Sequence, residues 1–148
     1  MKSNPKIDSA LHVLKGAAEK VLDSTLTTSV YAEENKGRLT VEYREKPTEE
    51  QIQEIEKAAN NKIEEDVPIE MFKMDRKEAE ARYGSKIYDK FPLPAHIQSI
   101  TITRIKDWNV NCCLGPHVKT TKEIGKLRIL KYRPRLSRKE LEISFELV

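Results

Sequence analysis

At 148 residues the chain has the usual size of one domain and can bury roughly two thirds of its unfolded surface, so we expect one domain over 1–148 with one core. Its first residues carry charge and a proline with no apolar run behind them, and no later stretch approaches the ~18 consecutive apolar residues of a membrane span; the expectation is a cytoplasmic protein, neither exported nor membrane-spanning. The formal net charge of +3 is too small to argue by itself for a nucleic-acid partner.

Apolar Ile7, Leu11, Leu14, Ala18, Val21 and Leu22 recur at helical spacing and predict a first helix over 7–22. Residues 27–31 and 38–43 alternate in polarity around Glu33, Glu34, Asn35, Lys36 and Gly37, which reads as a β hairpin. Thr48 followed three residues later by Gln51 resembles a capping box, and Ile52, Ile55, Ala59 and Ile63 carry a second helix over 49–65. A strand over 68–74 and a short helix over 76–83, closed by Gly84, come next. Pro92 and Pro94 mark a loop, and residues 97–105 are rich in β-branched side chains, with 107–111 continuing that strand. Strands over 127–132 and 141–147 complete the pattern. Strands outnumber helices and loops are short, so the expected class is α+β, an antiparallel sheet with helices packed on one side.

Cys112 and Cys113 are neighbours. Adjacent alpha carbons lie only about 3.8 Å apart, shorter than an ordinary disulfide span, so both are expected as thiols in a reducing compartment.

Imidazole chemistry is limited to His12, His96 and His117. His96 stands in a loop with no partner nearby in sequence and is set aside as an exposed side chain. Asp8 and His12 are spaced i, i+4 on one helix, which suits either a surface ion pair or two ligands of one metal ion. Cys113-Leu114-Gly115-Pro116-His117 is a CxxxH in which Gly and Pro permit a tight turn, so thiolate and imidazole can fold onto one ion; a buried cysteine beside an unrelated loop histidine is the plainer reading. Together the pairs offer up to four ligands, Asp8, His12, Cys113 and His117, provided that the helix and the distant turn meet in space. From Lys119 to Lys139 the bases Lys122, Lys126, Arg128, Lys131, Arg133, Arg135 and Arg138 are opposed by Glu123 alone. That strip can follow a phosphate backbone or can be a solvated strand face.

The segment from Ser9 to Ala17, together with Asp107-Trp108-Asn109-Val110-Asn111-Cys112-Cys113 and the stretch from His117 to Gly125, resembles the freestanding alanyl-tRNA editing proteins, in particular the short form called AlaX. The resemblance runs from about Asp8 to Val148. That family is related to the editing domain of alanyl-tRNA synthetase and the corresponding part of threonyl-tRNA synthetase, and its metal motif is HxxxH followed at a distance by CxxxH. The resemblance implies zinc ligation by His12, Cys113 and His117, with Asp8 standing where the first histidine is expected. It implies that a threonine after the first helix distinguishes serine from alanine through a hydroxyl contact; Thr27 is the candidate, ahead of Thr28 and Ser29. Asp107 and Asn111 flank the metal loop and are candidates to orient His117 or His12. Lys15, Lys119, Lys122, Lys126 and Arg128 are the candidates to hold acceptor-stem phosphates.

The activity so implied is hydrolysis of the ester joining serine, or glycine, to mischarged tRNA(Ala). It would act in trans, because the sequence holds no aminoacylation or anticodon-reading part. Three alternatives stand beside it: a tRNA-binding paralogue with weak or no activity because Asp8 replaces a ligand histidine, a deacylase for a different mischarged tRNA, and a structural zinc domain without an RNA partner.

Overall fold

A computed structural model describes residues 4–24, 26–90 and 93–148; Pro92, expected in a loop, lies outside them. The element order is α1 (Pro5–Leu22), β1 (Thr27–Glu33), β2 (Lys36–Glu42), α2 (Glu49–Glu65), β3 (Glu70–Asp75), α3 (Arg76–Tyr83), β4 (Ser99–Ile105), β5 (Asn109–Cys112), β6 (Leu127–Arg135) and β7 (Glu140–Leu147), with 3-10 turns at Ser85–Ile87 and Thr121–Ile124. Every strand pairing is antiparallel, as expected for the α+β class, but the strands divide into two sheets, β1-β2-β7-β6 and β3-β4-β5.

Local chemistry sets the boundaries. Helix α1 starts two residues before the apolar stripe because Asn4 caps it, accepting from the Lys6 N–H at 2.9 Å, and Pro5 needs no donor in the first turn. Thr48 and Gln51 form the capping box of α2 in both directions, at 3.1 and 2.9 Å. Gly84, at φ 79°, ends α3. In the β1–β2 hairpin the reversal is carried by Glu34, at φ 50°. Gly37 lies inside strand β2, not in the turn where its neighbours suggested it; a Cβ there would come within 2.6 Å of the Phe145 ring.

Residues 107–111 do not prolong β4. Asp107 takes a left-handed conformation at φ 56°, which aspartate tolerates better than most residues. The chain therefore turns back, and β5 pairs antiparallel with β4 from Ile105 opposite Asn109 to Ile102 opposite Cys112.

The expectation of one core is also corrected, because the buried apolar residues form two clusters. The larger joins one face of α1 (Ile7, Leu11, Leu14) and α2 (Ile55, Ile63) to the inner face of the four-stranded sheet at Leu39, Ile143 and Phe145. The smaller lies between α3, the Ser85–Ile87 turn and β4, around Ala79, Ile87, Ile100 and Ile102. Two sheets each need a cover for their apolar side, so each collects its own. Strand β5 runs beside α1 at the junction, and the chemistry-bearing residues gather there. No helix of the described residues is long and apolar enough to cross a membrane.

Candidate metal centre

The first helix and the distant CxxxH turn do meet. Donor atoms of His12, Cys113 and His117 lie within 4.8 Å of one another, and the imidazoles stand edge to face with centroids 4.7 Å apart. Cys113 Sγ is 3.7 Å from His117 Nε2. Zinc at its usual bond lengths to sulfur and nitrogen, with tetrahedral angles, would separate such donors by about 3.6 Å, so the donor set fits that ion. Asp8 is not a member of this group.

Backbone bonds hold the donors before any ion is considered. The Cys113 N–H donates to the Thr101 carbonyl at 3.0 Å, and Thr103 Oγ1 donates to the Cys113 carbonyl at 3.0 Å, which fixes this residue to the middle of β4. Gly115, at φ 78°, makes the turn to His117; a Cβ there would stand 3.0 Å from the imidazole Nδ1 and 3.1 Å from Met71 Cε. Buried Ser9 joins the pieces: its hydroxyl donates to the Pro5 carbonyl at 2.6 Å and accepts from the Val118 N–H at 2.9 Å, so α1 holds the residue next to His117.

Strand β5 supplies the orienting groups. Successive side chains on one strand face are two residues apart, and positions three apart share a helix face. Asn109 thus reaches His12 while Asn111 reaches Lys15. His12 Nδ1 lies 2.9 Å from Asn109 Oδ1, an atom that can only accept, so Nδ1 carries the proton and Nε2 presents its lone pair.

His12 is only 3% exposed. Burial, with help from the Lys15 and His117 charges, lowers its pKa from the usual 6.5 to about 3, although the Asn109 and Asn111 side chains oppose the shift. Burial and Lys15 lower His117 to about 4. Both imidazoles are therefore neutral, the form that binds metal, over the whole physiological range. Cys112 and Cys113 are free thiols. The Cys112 thiol packs against the smaller core cluster, and burial pushes its pKa up.

The other candidates fall into distinct places. Thr27 is buried at the start of β1, and its carbonyl accepts from the Lys90 N–H at 2.9 Å. The Thr28 hydroxyl is spent on the Thr40 carbonyl, and Ser29 is exposed. Asp107 does not orient either imidazole: it is exposed in the β4–β5 turn, where it lines a cleft with Glu19, Lys86 and Arg104, and Asn109 holds His12 instead. Lys15 is not a surface cation. It is 11% exposed and bonded to Asp89 at 3.3 Å, within the cluster beside His12. Lys119, Lys122 and Lys126 are exposed, but Arg128 on β6 donates its Nε to Glu146 of β7 at 3.1 Å. The strip that looked nearly free of acids along the chain meets Glu142 and Glu146 across the sheet, at Arg135 and Arg128.

Sequence reasoning missed Asn109, Ser9 and Asp89. The strand period flags Asn109, since it shares a face with Asn111; no spacing rule links Asp89 to Lys15 or Ser9 to Val118.

Residues 100–143 match the family described as the threonyl and alanyl tRNA synthetase second additional domain. Among curated proteins, the chain is 38% identical over 123 residues to an alanine–tRNA ligase of Methanococcus aeolicus, covering 82% of this chain and 13% of that protein. It is 35% identical over 122 residues to that of Methanopyrus kandleri, and 37% identical over 123 residues to that of Hyperthermus butylicus, with the same 82% and 13% coverage in each case. The chain thus spans about an eighth of the length of these relatives. Both comparisons support the resemblance to an AlaX-like editing domain carried by the motifs of the sequence.

Proposed function

We propose that a chain with this likeness, acting as a single editing domain over residues 1–148, is a zinc-dependent aminoacyl-tRNA deacylase that works in trans in the cytoplasm and removes serine, or glycine, from mischarged tRNA(Ala). The observation that carries the reading is the convergence of His12 with Cys113 and His117, from segments about a hundred residues apart, onto one donor group that fits zinc. A zinc ion held there supplies Lewis acidity at the ester carbonyl. The chain's own residues do the rest. Asn109 fixes the tautomer of His12, and Thr27 is the candidate to read the hydroxyl of serine. Exposed Lys119, Lys122 and Lys126 are the cations available for acceptor-stem phosphates, while Arg128 contributes less because Glu146 already holds it. A second sieve of this kind is needed because a synthetase pocket rejects a slightly altered amino acid by only about 10–200-fold.

The test uses the zinc-loaded protein with seryl-, glycyl- and alanyl-tRNA(Ala). Rapid loss of the seryl or glycyl ester with alanyl-tRNA spared is expected; binding of seryl-tRNA(Ala) without hydrolysis would overturn the enzyme reading. One observation favours a second reading, a tRNA-binding paralogue with an impaired site: Asp8 stands outside the donor group. An Asp8→His substitution that raises both zinc occupancy and deacylation would establish that impairment.

A further inference from the structure

Next to the donor group is a polar cluster to which the deacylase reading gives no task. Lys15, one helical turn beyond His12, places Nζ 3.3 Å from Asp89 Oδ1 and 3.5 Å from Asn111 Oδ1. Asn111, itself 4% exposed, donates through Nδ2 to the Ile87 carbonyl at 3.3 Å and reaches Asp89 Oδ1 at 3.4 Å. The Asp89 carboxylate is thus held by one oxygen. Oδ2 makes no hydrogen bond among the described residues, and the side chain is 42% exposed although the Lys15 beside it is nearly buried. The backbone ties this carboxylate to the rest of the site, because Lys90, the next residue, donates to the carbonyl of Thr27.

A carboxylate oxygen left open beside a part-buried polar cluster is placed to take a cation that arrives with the ligand. The aminoacyl ester of the proposed reaction carries such a cation close to its reacting centre: nitrogen, α carbon and carbonyl carbon are consecutive, so the ammonium lies ~2.5 Å from the ester carbon. A carbonyl at the His12–Cys113–His117 group therefore keeps its ammonium close to a site whose His12 lies one helical turn from Lys15, the residue that holds Asp89. Lys15 and Asn111 together occupy Oδ1, which leaves Oδ2 for a hydrogen bond from the ligand's ammonium.

We propose that Asp89 receives the α-ammonium of the aminoacyl group, so that the site accepts esters of free amino acids and rejects those whose nitrogen is acylated, as in peptidyl-tRNA. The inference rests on the deacylase reading and adds an amino-group requirement to it.

The test separates the two. L-Serine joined by a stable amide to 3'-amino-3'-deoxyadenosine, and the N-acetyl form of the same compound, are titrated calorimetrically into the zinc-loaded protein and into its Asp89→Asn variant. The natural protein is expected to prefer the free amine by about ten- to a hundredfold, the loss that removing one charge-assisted hydrogen bond brings. Asp89→Asn should bind both compounds as weakly as the natural protein binds the acetylated one, and Asp89→Glu should restore part of the preference. Equal weakening of both compounds in Asp89→Asn would overturn the proposal, because Asp89 would then act only by holding Lys15. Turnover supplies the second arm. Equal hydrolysis of seryl- and N-acetylseryl-tRNA by the natural protein sinks the amino-group requirement and leaves the deacylase standing. Hydrolysis of neither, with the Asp89-dependent preference intact in the titration, supports the ammonium site and sinks the deacylase alone.

Discussion

Replacing Gly16 with alanine tests whether the candidate metal centre depends on the packing behind it. Gly16 faces Trp108 on the β4–β5 turn, and a Cβ there would lie 2.3 Å from both Cδ1 and Nε1 of the indole and 2.8 Å from Cε2. No rotation of a methyl relieves such contacts, so the ring must move. Moving it breaks the bond from Trp108 Nε1 to the Val13 carbonyl, 2.9 Å long, and drags the adjacent Asn109 away from His12. Alanine gains about 1 kcal/mol of helix propensity over glycine. Against that stand roughly 1–3 kcal/mol for forced overpacking and about 1 kcal/mol for the lost hydrogen bond. The net is a destabilisation of ~1–3 kcal/mol, which at ~2–4 °C per kcal/mol for a chain of this size lowers Tm by roughly 2–12 °C. Urea unfolding followed by emission of the single tryptophan reads both consequences, since the native emission should also shift as the ring leaves its seat. A variant as stable as the natural protein, with unchanged emission and metal affinity, would refute the reasoning.

Asn109→Ala removes the group that fixes the His12 tautomer and should weaken metal binding by roughly 10–100-fold, measured by competition with a chromophoric chelator. Ser9→Ala leaves the part-buried Val118 N–H without its acceptor, at a cost of about 1 kcal/mol, and hydrogen exchange at Val118 should rise accordingly. For the metal-free protein the sign of the pH dependence follows from His12, whose pKa falls from 6.5 unfolded to about 3 folded. Its contribution is complete above pH 6.5 and is lost as pH falls toward 3, because the unfolded chain takes up a proton that the folded one refuses. The slope in that window is about 1.4 kcal/mol per pH unit for the one imidazole, with His117 acting in the same direction down to about pH 4. Urea midpoints in the presence of chelator should drop between pH 6.5 and 5.5, and less so in His12→Asn; a flat profile for the natural protein would contradict the burial argument.

Much of this was legible because the signals were local. The apolar stripe of α1, the Thr48–Gln51 box and the Gly84 stop each depend on residues within a few positions of one another, and the structure places those helices where the sequence does. Gly37 misled because glycine signals either a turn or a close approach, and here Phe145, more than a hundred residues away, decides between them. Asp107 misled for a related reason: a non-glycine residue in the left-handed region made the turn, and one strand became two. At the site, the paired motifs pointed to His12, Cys113 and His117, whose donor atoms stand together, and to Asp8, which is outside that group. The Lys15–Asp89 pair and the Ser9–Val118 bond are products of tertiary packing with no periodic trace, and the acids facing Arg128 and Arg135 come from the neighbouring strand.

The Ser9 hydroxyl, gripping the chain beside His117 from within α1, has a bearing on how the fold would receive a metal ion. In small zinc fingers the ion is what folds the chain; here the scaffold stands on its own hydrogen bonds and two hydrophobic clusters, and an arriving ion finds its donors assembled. Chelation should then leave the protein folded. A chain short of metal would then stay intact, spared from the proteases that clear unfolded chains.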